Sequence, residues 1–197
     1  MEHLAEIVAE KIGELADRTK SPVLIAIDGR CGSGKTTLAE NLSGKMDMNL
    51  IHADHFFLQP HQRTSERLAV PGGNIDWERL SQVLEMVSQG EGFSYCPFDC
   101  HRQDFGETLT FLPKKLNIVE GSYSCHPQLW ERYHLHIFLD VSEEEQIFRI
   151  RQRNGEEMLK MFQARWIPLE EKYFAEYKIQ SRCEHSFSTE TFALQLG

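Results

Sequence analysis

Three observations predict an α/β fold of three layers, with helices over both faces of a five-stranded, mostly parallel sheet. Short apolar runs recur at 23–28, 49–53, 116–120 and 135–140, and a last short strand is read near 185–188. Stretches with helical apolar spacing separate them. A glycine-rich segment, Ile25-Ala26-Ile27-Asp28-Gly29-Arg30-Cys31-Gly32-Ser33-Gly34-Lys35-Thr36-Thr37, joins the first run to the helix pattern after it. Strands that alternate with helices pair in parallel, because a parallel neighbour needs a crossover connection.

The first helix is predicted by Leu4, Ile7, Val8, Ile12 and Leu15, which fall on one face. Ser21-Pro22 ends that region, since the residue before proline avoids the helical basin. The first strand, the glycine loop and a helix over Thr37–Leu42 follow, then a second strand ending at Asp54. Residues 55–75 hold Pro60, Pro71, Gly72 and Gly73 and read as a long polar loop, a length that accompanies function in compact domains. Asp76 is placed to cap a helix carrying Leu80, Val83, Leu84 and Val87, which Gly90 and Gly92 close. Residues 93–113 read as an irregular insertion: an extended piece at 93–95, a polar loop over 96–106 and a strand at 108–112. After the 116–120 strand, Pro127–Arg132 reads as a short helix and 135–140 as another buried strand. Ser142, with Glu143, Glu144 and Glu145 behind it, starts a helix that runs through Arg153 to a break at Asn154-Gly155. Two more helical stretches flank Pro168.

The chain has 197 residues, a length that suits one domain over 1–197. A net charge of −9 leaves no basic excess for a nucleic acid partner. The five cysteines, 31, 96, 100, 125 and 183, form no C-x-x-C pair, which speaks against a zinc knuckle and for reduced thiols in the cytoplasm. No apolar run approaches membrane-spanning length, and the acidic start at Met1-Glu2 is unlike a signal peptide.

Gly29 to Thr36 fits G-x-x-x-x-G-K-[ST], the P-loop, so the expected architecture is the P-loop NTPase fold with a small β-rich insertion (about 93–113) on the substrate side. Gly29, Gly32 and Gly34 permit the tight path. Loop amides through Arg30, Cys31, Gly32, Ser33 and Gly34, with Lys35, Thr36 and Thr37 at the helix start, form an anion nest for a triphosphate. Lys35 brings a cation to the phosphates, and the Thr36 hydroxyl suits Mg²⁺.

Transfer chemistry also needs acids near the metal and the acceptor hydroxyl, and cations around the moving phosphoryl group. Asp54 and Glu120 each stand just past a buried strand, where open parallel sheets bind ligands. Asp54 is the candidate base, and Thr36, Asp54 and Glu120 are the candidate metal set. Asp140 also ends a strand but precedes a helix, and reads as a loop cap. Arg149 and Arg153, four apart on the predicted helix, share a face and suit a lid over phosphates (about 143–166). His134 and His136 read as structural, and His55 as a candidate partner of the Asp54 region. Trp77, Trp130 and Trp166 read as packing residues.

With these residues in place, the chain resembles the uridine kinase family, in the wider group with phosphoribulokinase and bacterial pantothenate kinase. The resemblance spans roughly 20–180. It rests on Ile27-Asp28-Gly29 to Thr37, Asp54-His55-Phe56-Phe57, Pro71-Gly72-Gly73-Asn74-Ile75-Asp76-Trp77, Pro97-Phe98-Asp99-Cys100-His101-Arg102, Val119-Glu120-Gly121 and the Arg149–Arg153 helix. It implies ATP and Mg²⁺ as cofactors, and a small-molecule acceptor, first of all the 5′-hydroxyl of a nucleoside. It also implies a possible homo-oligomer. By the resemblance, Asp54 activates the acceptor hydroxyl, Asp76 grips ribose hydroxyls, and Phe98, His101 and Arg102 lie in the base-reading segment. Glu120 stands near the metal, Arg149 belongs to the lid, and Tyr123 joins the substrate side. The chain departs from the family pattern at Phe57, which stands where the family has tyrosine. Phe98 and Cys100 also differ, where the family has a donor and a stacking aromatic. Other acceptors (pantothenate, a sugar phosphate, another riboside) therefore stay open, as does nucleotide binding without turnover. A nucleotide-dependent switch is disfavoured because Asn-Lys-x-Asp occurs nowhere.

Overall fold

The computed structural model describes residues 1–190. The expected domain runs on to residue 197, so its last seven residues lie outside the described ones. The chain opens with helix α1 (Glu2–Arg18), strand β1 (Val23–Gly29), helix α2 (Lys35–Ser43) and strand β2 (Met48–His52). The segment read as a polar loop is partly helical, which corrects that expectation. It holds 3₁₀ turns at Ala53–Phe56 and Pro60–Gln62 and the short α3 (Ser65–Ala69), capped by the Thr64 hydroxyl. Each piece is too short to show a hydrophobic period, so proline and glycine dominated the reading.

Helix α4 (Trp77–Ser88) starts at Asp76, whose carboxylate accepts the Arg79 amide, as expected. The insertion consists of β3 (Phe93–Tyr95), β4 (Phe98–Asp99), β5 (Asp104–Phe105) and β6 (Leu109–Phe111). These pair as two antiparallel ribbons, β3 with β6 and β4 with β5. The expected polar loop over 96–106 is thus a small hairpin. Strands β7 (Leu116–Glu120) and β8 (Leu135–Asp140) flank a 3₁₀ turn at Trp130–Arg132. Helix α5 (Glu143–Met161) does not stop at Asn154-Gly155: it kinks there, with Gly155 at φ 79°, and continues. A π-helical turn (Phe162–Trp166), α6 (Ile167–Tyr177, with Pro168 in its first turn), α7 (Ile179–Arg182) and β9 (His185–Ser188) complete the order.

The five main strands run in the order β2-β7-β1-β8-β9, and every pairing is parallel. All seven residues of β1 and all five of β7 are buried, as central strands covered on both faces must be. Alternate side chains of β1 serve opposite faces. Ile25 and Ile27 pack with Leu4, Val8 and Ile12 of α1 and Leu38 and Leu42 of α2. Leu24 and Ala26 pack with Leu80 and Leu84 of α4, Tyr173 and Phe174 of α6 and Ile179 of α7. Each fully buried aliphatic side chain contributes about 1.5–3 kcal/mol. Two cores around one parallel sheet hold the carboxyl ends of β1, β2 and β7 along one edge, with Ile27 and His52 both opposite Glu120.

Candidate active site

Gly29 closes β1 at φ 139°, where a Cβ would lie 2.0 Å from the Leu139 carbonyl oxygen of β8. Its smallness serves strand packing. Gly34 stands in the left-handed region and caps α2. Within the loop, the Arg30 amide donates to Leu139 O at 3.2 Å, the Cys31 amide to Glu170 Oε2 at 3.0 Å and the Ser33 amide to Arg30 O at 3.1 Å, and the first turn of α2 brings amides without intrahelical partners to the same place. Lys35 is almost fully buried, and its Nζ donates to Gly29 O at 2.7 Å and Arg30 O at 2.9 Å. The ammonium is thereby folded over the loop it serves.

The Thr36 hydroxyl donates to Glu120, 3.2 Å from Oε1 and 3.1 Å from Oε2. On the other side of Glu120, His52 Nδ1 lies 2.6 Å from Oε1. That hydrogen bond draws the His52 imidazole above its ordinary pKa, against the effect of burial. Asp54 follows in the turn after β2, and its Oδ1 lies 3.5 Å from where a Cβ on Gly121 would stand. Its surface opens into the cleft while the cleft walls surround it. Loss of bulk water raises the Asp54 carboxyl, and the neighbouring Glu120 charge raises it further, with Lys35 opposing. Two carboxylates beside a hydroxyl, repelling each other, fit a hard dication. Among the described residues no group of three or more His, Cys, Asp or Glu forms a metal site. That fits Mg²⁺, which takes one or two carboxylates and completes its shell with water and phosphate oxygens.

These residues share a cavity of about 870 Å³. Of the expected nucleotide, metal and lid residues, Cys31, Gly32, Gly34, Lys35, Thr36, Thr37, Asp54, Glu120, Arg149 and Arg153 line it. Arg149 Nη1 donates to Gly32 O at 3.2 Å, and its Nε pairs with Glu145 at 2.8 Å, so α5, the helix expected to form a lid, touches the loop directly. Gly29, Arg30 and Ser33 do not line the cavity. The Arg30 side chain turns away to Asp140 (3.0 Å) and Glu171 (2.9 Å), and Ser33 is buried. Arg151 points out to Glu156.

The expected substrate residues divide. His101 and Tyr123 line the cavity. Tyr123 holds a left-handed backbone (φ 71°), unusual for an aromatic residue and a mark of a constrained site. Its amide donates to Asp28 Oδ1 at 3.2 Å. Asp76 is buried and engaged: Arg79 N and Gln62 Nε2 each reach it at 3.0 Å. Phe98 is buried against Phe105, and Arg102 is exposed; none of these three lines the cavity.

Several functional positions were not singled out by sequence. Glu170 of α6 is buried in the cavity wall. Its Oε2 accepts the Cys31 amide at 3.0 Å and its Oε1 accepts the Ser122 hydroxyl. In the sequence it is only an acid in a helix's first turn. His52, not His55, partners the metal-side carboxylate. His55 contacts Tyr95 OH at 3.1 Å, and burial lowers its imidazole to about 4. Trp166, read as packing, lines the cavity. Asp28 is fully buried and gathers Gly29 N, Tyr123 N, Cys125 N and Tyr173 OH; desolvation lifts its carboxyl to about 6 despite those bonds. His136 is structural as expected, stacked 3.9 Å from Trp130 and bonded to Glu184.

No protein-family model matches the chain. A uridine kinase of Ureaplasma parvum serovar 3 is 22% identical over 156 residues, covering 74% of this chain and 75% of that protein. A Bacillus stearothermophilus protein described as a possible uridine kinase superposes with TM-score 0.68 at 17% identity, over 93% of this chain and 96% of the other. A Silicibacter protein described as a "putative fructose transport system kinase" superposes with TM-score 0.69 at 20% identity, over 93% and 98% of the two chains. The three-layer α/β/α architecture is the fold that these two solved structures share with the chain. In sequence and in fold, the chain resembles the uridine kinase-like group of P-loop kinases.

Proposed function

We propose that this chain transfers the γ-phosphoryl group of ATP to a hydroxyl of a small metabolite. The observation that carries the reading is the Thr36–Glu120 contact on the floor of a cavity that Asp54 and Lys35 also line. The loop amides and α2 would hold the phosphates, and Lys35, Arg149 and Arg153 would balance their charge. Thr36, Asp54 and Glu120 would hold Mg²⁺, which supplies charge neutralisation at the phosphates. Asp54 takes the proton as the acceptor oxygen attacks the γ-phosphorus and the bond to the bridging oxygen breaks, releasing ADP.

A nucleoside is the acceptor implied by the resemblance. His101 and Tyr123 line the cavity in its favour, while Asp76, Phe98 and Arg102 stand outside. The 22% identity to a uridine kinase adds support of the same kind.

The test is acceptor-dependent release of ADP from Mg-ATP, with Asp54→Asn alongside. The variant should bind ATP and turn over at least about a hundred-fold more slowly. Turnover within a few-fold of the parent would remove Asp54 as the base. ATP binding with no acceptor-dependent release from the parent would make the chain a nucleotide-binding protein without transfer.

A further inference from the structure

The lysine and arginine side chains of the cavity come from three parts of the chain. Arg149, Arg153 and Arg165 belong to α5 and the turn after it, and together with Lys35 they suffice for a triphosphate. Arg63 comes instead from the segment between β2 and α4. The other arginines of that segment and of α4 face carboxylates: Arg67 meets Glu78 at 2.6 Å and Arg79 meets Asp76 at 3.7 Å. Arg63 makes no ion pair among the described residues. Its Nε donates to Leu58 O at 3.0 Å, and its guanidinium lies 5.9 Å from the centre of the Phe98 ring. Among the described residues no hydrogen bond is made by its two terminal nitrogens, which leaves them for a ligand.

Leu58, Leu68, Asn74, His101 and Gln103 line the same cavity. A guanidinium that lines a cavity and makes no ion pair among the described residues is a ready partner for a carboxylate or phosphate of a ligand. Its position is on the acceptor side. Cys100 and His101, from the segment that the family resemblance puts on the acceptor side, line the same cavity, as does Asp54, the proposed base.

We infer that the acceptor carries an anionic group, a carboxylate or a phosphate ester, along with its hydroxyl, and that Arg63 binds it. The acceptor is thus a hydroxylated organic anion, not a neutral nucleoside. This inference rests on the phosphotransfer reading above.

Matched pairs isolate the charge. Pantothenate is compared with its neutral alcohol pantothenol, and ribose phosphate with ribose; uridine stands as the neutral nucleoside. Each is measured for ADP release from Mg-ATP and for thermal stabilisation beside a non-hydrolysable ATP analogue. An anionic member should be active, and its neutral partner should not. For that acceptor Arg63→Ala should raise KM roughly 10- to 100-fold, as loss of a charge-assisted pair does, with kcat and the KM for ATP moved far less. Arg63→Lys should recover part of the loss. A merely structural role would lower the melting temperature and move the ATP KM as well. Equal use of charged and neutral partners, preference for uridine, or an acceptor KM within two-fold in Arg63→Ala overturns the inference. Stabilisation by an anion, lost in Arg63→Ala but without turnover in the parent, would keep the anion site and overturn phosphotransfer. Silence of every probe in both measurements overturns the inference.

Discussion

The Glu170 carboxylate of α6 is bonded to the phosphate loop itself: its Oε2 accepts the Cys31 amide at 3.0 Å, while its Oε1 takes the Ser122 hydroxyl beyond β7. A loop shaped for anions thus already holds one of the chain's own. This ties the lid-side helix, the P-loop and the β7 end into one unit.

Glu170→Gln keeps the shape and one acceptor oxygen but removes the charge beside the incoming phosphates. It should tighten ATP several-fold in calorimetric titration. Glu170→Ala strips the Cys31 amide and Ser122 hydroxyl of their partner and should lower unfolding free energy by about 1–3 kcal/mol. ATP binding weakened more than ten-fold in Glu170→Gln would mean that the charge builds the loop instead of competing for it.

Asp54 is expected to cost the free protein stability at neutral pH. Desolvation and then Glu120 hold its carboxyl above the usual range, so the folded state binds its proton more tightly than the unfolded state. Such a group stabilises below its unfolded pKa, and the contribution is lost as pH rises through the folded pKa. Asp54→Asn should therefore melt above the parent near pH ~7 and lose that advantage below pH ~4, even as turnover collapses. An equal or lower melting temperature at neutral pH would contradict this account.

Thr36→Val removes the hydroxyl shared with Glu120 and leaves the volume intact. The Mg²⁺ concentration for half-maximal turnover should rise on the order of ten-fold or more, as loss of a ligand or its supporting bond does, with little change in melting temperature. An unchanged Mg²⁺ requirement would take Thr36 out of the metal set.

Gly29→Ala should fail as a fold variant before it fails as an enzyme. The added Cβ would fall 2.0 Å from Leu139 O in a backbone conformation that side chains rarely adopt. A loss of about 2–4 kcal/mol in denaturant unfolding is expected. A variant of full stability with weakened ATP binding would place the residue's role at the phosphate instead.

The P-loop, the two strand-end acids and the lid arginines were legible because each depends on local chemistry at a fixed spacing. Asp54, Glu120, Lys35 and Thr36 fall together because parallel strands in register must end on one edge. The short turns over 53–69 and the ribbons of 93–111 were not legible as such. Each is two to five residues long, and the ribbon strands are defined by their pairing with partners on the far side of a turn, such as Phe98 with Phe105 and Phe93 with Phe111, which two or three residues of pattern do not reveal. Arg149 and Arg153 reach the cavity, whereas the kink that redirects their helix past Gly155 shows only in the backbone.

The sequence by itself determined the layered fold, the phosphate loop and which acids end which strands, since periodicity and motif spacing are properties of neighbours along the chain. Only the tertiary structure decided that Glu170 closes on the loop, that His52 rather than His55 serves Glu120, that Phe98 and Arg102 miss the cavity and that Arg63 enters it unpaired. Those outcomes depend on how α6 and the 55–75 segment pack across the sheet edge. Packing sums many weak contacts between residues far apart in sequence, and no local pattern records it.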